Sequence, residues 1–234
     1  MLKVNDLHVN RGSYPIIHGV SLEVESGEIV SLMGAIGAGK TTLMSALSGV
    51  GNITGGQVLF EDQDITKWTS DKIVEAGMIQ IPEGRHLFPL MSVRENLEIG
   101  SNTERAKKAR KDNLEYVYTI FPELQSMSTT PAGNLSGGQQ QMVAIGRGIM
   151  AAPKLLILDE PSIGLSPLMT QRVLEVVKKI NEKGVSILIS EQNIHGVLKI
   201  ADRAYILEQG KIQISGTAQE IAESDDVKAA YLGL

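Results

Sequence analysis

Apolar and polar residues alternate in LKVNDLHV (2–9) and VSLEV (20–24), the period-two pattern of strands with one covered face. The segments EIVSLM (28–33), GMIQIP (77–82), KLLILDE (154–160) and VSILIS (185–190) are instead almost continuously apolar. That pattern belongs to strands covered on both faces. Between them, TTLMSALSGV (41–50), SDKIVEAG (70–77), 168–183 and 194–200 read as helices, and GGQVLFEDQDIT (55–66) as a hairpin-like segment. Two short strands follow, AYILE (204–208) and KIQIS (211–215), and Thr217 with Glu220 caps a last pair of short helices. Alternating strands and helices with apolar strands predict an α/β fold with a mainly parallel sheet covered on both faces.

Residues 85 to 134 break this rhythm, because no strand pattern occurs there. Ser92 and Glu95 form a capping-box pair, and a charged helix runs from Thr103 to Phe121. The stretch reads as a helical insertion between two strands of the main sheet. Its far end is NLSGGQQQ (134–141), where Ser136 and Gln139 predict another helix start. Gly137 and Gly138 would weaken a first helical turn, so their presence implies a close approach to that backbone.

Composition narrows the options. The 234 residues suit one large domain or a domain with a subdomain. A net charge of −5 gives no bulk attraction to nucleic acid or acidic lipid. Cysteine is absent, which excludes disulfides and thiol catalysis and fits a reducing compartment. The opening MLKVNDLHVN lacks the design of a signal peptide, and no apolar run reaches the ~18 residues of a membrane span.

The chemistry starts at GAIGAGKT (34–41), which fits G-x-x-x-x-G-K-[ST] and sits between a strand and a helix. In such a loop Gly34, Ala35, Ile36, Gly37, Ala38 and Gly39 turn their backbone N–H groups toward phosphate oxygens. Lys40 reaches the β and γ phosphates, Thr41 offers a hydroxyl to Mg²⁺, and Thr42 continues the helix N-terminus that adds its positive end. KLLILDEPS (154–162) supplies the complement: Asp159 at a strand end for the Mg²⁺ shell, and Glu160 to orient and deprotonate a water.

One nucleotide is already surrounded by the first loop, so the second glycine-rich helix start fits the nucleotide of another subunit. With LSGGQ in place, the chain closely resembles the ATP-binding subunits of ABC transporters. The resemblance covers essentially the whole chain and rests on the phosphate loop, the helical insertion, LSGGQQQ, LLILDEP and ILIS. It implies a P-loop ATPase core with an N-terminal antiparallel β subdomain, and an inserted helical subdomain at 85–150. It also implies that two subunits pack head to tail, with Ser136, Gly137, Gly138 and Gln139 facing the partner's ATP. The helical insertion would meet two membrane-spanning permease subunits, and the chain would sit peripherally on the cytoplasmic face of the plasma membrane.

IPEGRHLFPLMSVRENLEIG (81–100), SEQNIHGVLKIADRAYILEQGKI (190–212) and the ending YLGL are similar to one subfamily, the smaller ATPase subunit of the branched-chain amino acid importer. Three departures from the general ABC pattern coincide with that subfamily. Glu83 replaces the Q-loop glutamine that touches metal and water, Gln192 replaces the switch histidine, and Ser166 replaces the D-loop aspartate. The related urea importer keeps the glutamine. The resemblance further implies a second ATPase subunit, as a heterodimer or a homodimer, and an indirectly coupled solute-binding protein. At the end of the first strand, where the family places an aromatic residue against adenine, this chain has Arg11, with Tyr14 nearby.

Rival readings are an ATPase for another solute, or a soluble ABC-type ATPase acting on DNA, RNA or ribosomes. The coiled-coil insertion or second ATPase unit that such soluble proteins carry is missing from the sequence. ERAKKARKDN (104–113) mixes charges at helical spacing without aromatics and reads as a solvated helix face, so no nucleic-acid partner is expected. The four histidines lack metal-ligand spacing, and the nine methionines read as core filler. HLFPLM (86–91) is more apolar than a loop should be, and serves either as packing for the insertion or as a socket for a membrane subunit.

Overall fold

The computed structural model describes residues 1–224 and Val227. Its alternating segments pair with one another, and so do its continuously apolar ones. An antiparallel sheet of order β2-β1-β4-β5 joins β1 (Leu2–Arg11), β2 (Tyr14–Val24), β4 (Asn52–Phe60) and β5 (Gln63–Asp64). A second sheet has the order β10-β9-β3-β8-β7-β6. It contains β3 (Ile29–Met33), β6 (Met78–Ile81), β7 (Leu155–Asp159), β8 (Ser186–Glu191), β9 (Arg203–Glu208) and β10 (Lys211–Thr217). Its described pairs are parallel except β9 with β10.

The helices are α1 (Lys40–Leu47), α2 (Ser70–Ala76), α3 (Val93–Ile99), α4 (Glu104–Ile120), α5 (Pro122–Ser126), α6 (Gly137–Met150), α7 (Pro167–Asn181), α8 (Ile194–Leu198) and α9 (Ala218–Glu223). α3 to α6 lie in the connection between β6 and β7, which are neighbours in the sheet. Every residue of β3, β7 and β8 is buried. Their side chains alternate between two apolar layers. Val30, Leu32, Leu155, Ile157 and Leu188 join α1 and the antiparallel sheet through Leu43, Leu47 and Phe60. Ile29, Leu156, Leu158, Ile187 and Ile189 join α6 and α7 through Val143 and Val177. Both faces are therefore covered, as the apolar strands require.

Two elements exceed the sequence reading. β2 begins at Tyr14 rather than near Val20, paired with Arg11 across a Gly12–Ser13 turn in which Gly12 has φ +63°. Irregular register in this hairpin, at Val4/Leu7 and Val9/Asn10, hides the period-two pattern. α5 starts on Pro122, whose missing N–H costs nothing in the first turn of a helix. α9 has the expected capping box of Thr217 and Glu220. The second helix of that expected pair, and YLGL, fall outside the described residues, apart from Val227.

The β9–β10 hairpin closes through Gln209 and Gly210, with φ +47° and +75°. Two positive φ values in a two-residue loop match the twist of the flanking strands. The Gly210 N–H donates to Ala38 O at 2.9 Å, and Gly210 O accepts from the His18 N–H at 2.9 Å. This turn thus ties β2 to the loop before α1. A Cβ on Gly210 would stand 1.9 Å from Ile16 O. Gly210→Ala is expected to destabilise the fold by about 2 kcal/mol or more. A denaturation midpoint unchanged from the parent would refute that expectation.

Candidate nucleotide site

The loop 34–39 leaves the end of β3 and enters α1 at Lys40, with Gly39 as N-cap at φ +110° and Gly37 at φ +82°. Gly34 is required by its surroundings, because a Cβ there would lie 2.2 Å from Leu207 O. The Lys40 side chain is only 3% exposed. A buried ammonium needs its hydrogen bonds supplied by the protein. Lys40 Nζ donates to Gly34 O at 2.8 Å and Ala35 O at 3.1 Å, and pairs with Glu160 Oε1 at 3.0 Å.

The two acids are set by the register of β7 against β8, which places Asp159 beside Ser190. The Ser190 hydroxyl donates to Asp159 Oδ1 at 2.6 Å. Asp159 Oδ2 is buried and has no hydrogen-bond partner. Burial pushes the Asp159 carboxyl above its ordinary pKa, against the opposing pull of the Ser190 and Thr41 hydroxyls. Glu160 turns out of the strand at φ +45°. Its N–H donates to Ser190 O at 3.1 Å and Ser190 Oγ at 3.0 Å. Its Oε2 accepts from Gln192 Nε2 at 2.5 Å.

These groups border one cavity of about 450 Å³. Gly37, Gly39, Lys40, Thr41 and Thr42 form its floor, and Glu83, Glu160 and Gln192 its polar wall. Arg11 lines it, while Tyr14, 74% exposed, does not. Ile36 of the loop, itself 84% exposed, also lines the cavity. Gly34, Ala35 and Ala38 support the loop from behind, and Asp159 lies buried below it. A larger cavity of about 540 Å³, beside Ile73, Ile81, Ala144 and Arg147, has no carboxylate in its lining.

Sequence reasoning missed Ile16 and Ile163, which add apolar wall, Ser190, which holds the acids, and Glu191, which holds Ser162 just after them. Ser190 carried a signal: it is a polar residue at the end of an apolar strand. Glu191 is 2% exposed and accepts from both the N–H (3.0 Å) and the hydroxyl (2.7 Å) of Ser162. Burial pushes its pKa up, and the Ser162 bonds together with the Asn193 N–H draw it down. Ser166, at the departed D-loop position, caps α7 by accepting from the Met169 N–H at 3.4 Å.

The glycine-rich helix start lies apart, and none of Ser136, Gly137, Gly138 and Gln139 lines the cavity. Ser136 and Gln139 form the expected capping box. The close approach to the glycines has contributors within the chain. A Cβ on Gly138 would meet Met169 Cε at 2.9 Å, and one on Gly137 would meet the Arg85 guanidinium at 3.3 Å. HLFPLM divides: Leu87 packs on the core, whereas Phe88 is 47% and Leu90 94% exposed. Buried Asn96 folds this loop. It accepts from the Phe88 N–H at 2.9 Å and donates to Phe88 O, Met91 O and Ser92 O at 3.0–3.2 Å. Among the described residues no helix is long and apolar enough to cross a membrane, and no histidine joins a metal-binding group.

The ABC transporter family model matches residues 17–163. The high-affinity branched-chain amino acid transport ATP-binding protein BraG of Pseudomonas aeruginosa is 39% identical over 233 residues, covering 100% of both chains. The lipopolysaccharide export system ATP-binding protein LptB of Escherichia coli is 31% identical, over 93% of this chain and 91% of LptB. Among solved structures, the ADP conformation of an ATP-binding cassette of an ABC transporter superposes with a TM-score of 0.83 at 27% identity, over 100% of this chain and 99% of the other. The chain belongs to the ABC transporter family, as one of the ATP-binding, ATP-hydrolysing cassettes that work with membrane permease subunits.

Proposed function

We propose that this cassette powers import of branched-chain, hydrophobic amino acids, acting peripherally at the cytoplasmic face of the plasma membrane. The observation that carries the reading is the full-length similarity to BraG, joined by Glu83 and Gln192 in the wall of the nucleotide cavity. Similarity to LptB favours the second reading, an ATPase serving a different solute. The chain is taken as one ABC ATPase domain with 85–150 as its helical subdomain.

In this reading ATP is the substrate. Asp159 Oδ2, buried without a partner, suits a divalent cation together with the Thr41 hydroxyl at the head of α1, and Glu83 faces the same cavity. Mg²⁺ held there would neutralise phosphate charge. Incoming phosphates compete with Glu160 and with two carbonyls for Lys40. Transfer of Lys40 to phosphate frees Glu160 Oε1. That oxygen takes the proton as a water attacks the γ-phosphorus and the bond to the ADP oxygen breaks. Gln192 keeps Oε2 and so fixes the carboxylate. Gln192 cannot carry an imidazolium charge, and Glu83 brings a negative charge toward a polyanion. This site is therefore the slower of two in a heterodimer, and the Ser136–Gln139 helix start serves the partner's ATP.

Lys40→Ala should weaken ATP binding at least tenfold, since it removes the cation of the loop. Glu160→Gln should retain binding while hydrolysis falls by about 10²-fold or more. Calorimetry and phosphate release measure the two quantities, and parent-like affinity in Lys40→Ala would sink the assignment.

Phe88 and Leu90 stand out from a loop whose backbone Asn96 holds. Phe88→Ser with Leu90→Ser should cut leucine uptake in vesicles holding the assembled transporter at least fivefold, and leave nucleotide affinity intact. Unchanged uptake would reduce the loop to local packing. The same vesicles test the solute: uptake of a different solute class would favour the second reading.

Placing Glu160→Gln in this chain should cost less ATPase activity than the equivalent change in the partner cassette. Equal costs would overturn the asymmetry. A rise in turnover in Gln192→His would identify the missing imidazole as the limiting group.

A further inference from the structure

The three residues that end β8 and follow it each hold a different part of the strip that leaves β7. Ser190 binds the Asp159 carboxylate and the Glu160 N–H. Gln192 binds the Glu160 carboxylate. Glu191, between them, points to neither acid and grips Ser162 with both of its oxygens. Glu160 sits in this strip in a left-handed conformation that a non-glycine residue adopts only when its surroundings impose it. Ser190 supplies the constraint on the N-terminal side of the turn. On the C-terminal side Pro161 offers no N–H, so the next backbone donor is that of Ser162, and it goes to Glu191. The turn closes with the Ile163 N–H on Glu160 O at 3.2 Å.

A carboxylate is an expensive group to bury for the sake of a surface loop. Glu191 is 2% exposed, and no cation is paired with it among the described residues. Its oxygens take the N–H and the hydroxyl of one residue, the geometry of a clamp that fixes both position and orientation. Without it the segment after Pro161 is free to relax, Glu160 can leave its strained φ, and its carboxylate loses alignment with Lys40 and Gln192.

We infer that Glu191 is a positioning residue for ATP hydrolysis: by clamping Ser162 it holds the Glu160 turn, and with it the base carboxylate, in working geometry. The inference rests on the reading of Glu160 as the base. Glu191 does not line the nucleotide cavity, so it acts on turnover and not on nucleotide binding.

The test uses the full chain in its assembled transporter, with the equivalent base of the partner cassette replaced by glutamine so that turnover reports this chain's site, and kcat, KM for ATP and melting temperature are measured for Glu191→Ala, Glu191→Gln and Ser162→Ala. Glu160→Gln is the control. Glu191→Ala should lower kcat about tenfold or more with KM within about threefold of the parent. Glu191→Gln should recover most of that loss, because its amide oxygen accepts the Ser162 N–H and its amide nitrogen donates to Ser162 Oγ. Ser162→Ala removes one of the two bonds and should give a smaller fall in kcat at constant KM. If Glu191→Ala does not fold, Ser162→Ala and Glu191→Gln decide: parent-like kcat in Ser162→Ala, or a Glu191→Gln rate as low as that of Glu160→Gln, overturns the inference. A kcat within twofold of the parent in a folded Glu191→Ala overturns it too. So does a joint change in kcat and KM that follows the melting temperature, which marks a structural role alone. Parent-like hydrolysis in Glu160→Gln is distinguishable from all of these, since it removes the base assignment itself.

Discussion

A buried ammonium is the constraint around which this cassette is arranged. Lys40 heads α1 under nearly complete cover, and a cation in that setting is tolerable only with acceptors on every side. Two come from its own loop, which can present Gly34 O and Ala35 O only because the chain curls back through glycine conformations. The third is Glu160, which reaches Lys40 from the end of β7, two strands along the sheet from β3, by leaving that strand in a left-handed turn. Loop and acid therefore determine one another. In the proposed function, phosphate oxygens would take the place of these partners of Lys40, which preserves the count of acceptors and would release the carboxylate for chemistry.

The parallel sheet explains why all the polar groups meet at one place. β3, β7 and β8 run in the same direction, so their C-terminal ends share an edge. The loop after β3, the acids after Leu158 and the trio Ser190, Glu191 and Gln192 are all carried to that edge. Ligand sites at the carboxyl ends of parallel strands follow from this geometry. The antiparallel sheet contributes from outside, through Arg11 at the tip of its first hairpin and through the bonds that Gly210 makes to His18 and Ala38.

Most of the architecture was readable in the chain because local and tertiary preferences agree. Continuous apolar runs became the buried strands, and Ser92, Ser136 and Thr217 open helices with capping boxes as their spacing foretold. Legibility failed where the cause is non-local. The first half of β2 is hidden because extra residues in β2 itself, at Gly19 and Ile16, break its alternation. Asn96, Gly210 and Glu191 look unremarkable in sequence, and their roles arise from backbone groups that lie from 4 residues away, in Asn96–Ser92, to 172, in Gly210–Ala38. Arg11 and Tyr14 were equivalent by sequence. The hairpin separates them by turning Tyr14 to solvent.

The glycines of LSGGQ illustrate how one residue can satisfy two demands. Met169 and the Arg85 guanidinium crowd the start of α6, so part of the need for glycine is internal. Yet a guanidinium there works against the positive end of the helix dipole, which favours anions. Among the described residues its one side-chain acceptor is Gln140 Oε1, at 3.4 Å. Arg85 is held in that position by the chain itself: Gly84, Arg85 and His86 all have positive φ, and Arg147 of α6 donates to the carbonyls of Arg85 and His86 at 2.9 and 2.8 Å. The same short segment begins at Glu83 in the wall of the nucleotide cavity. Arg85 thus joins the segment that follows Glu83 to the start of α6, and Arg147 joins it to the last turn of the same helix.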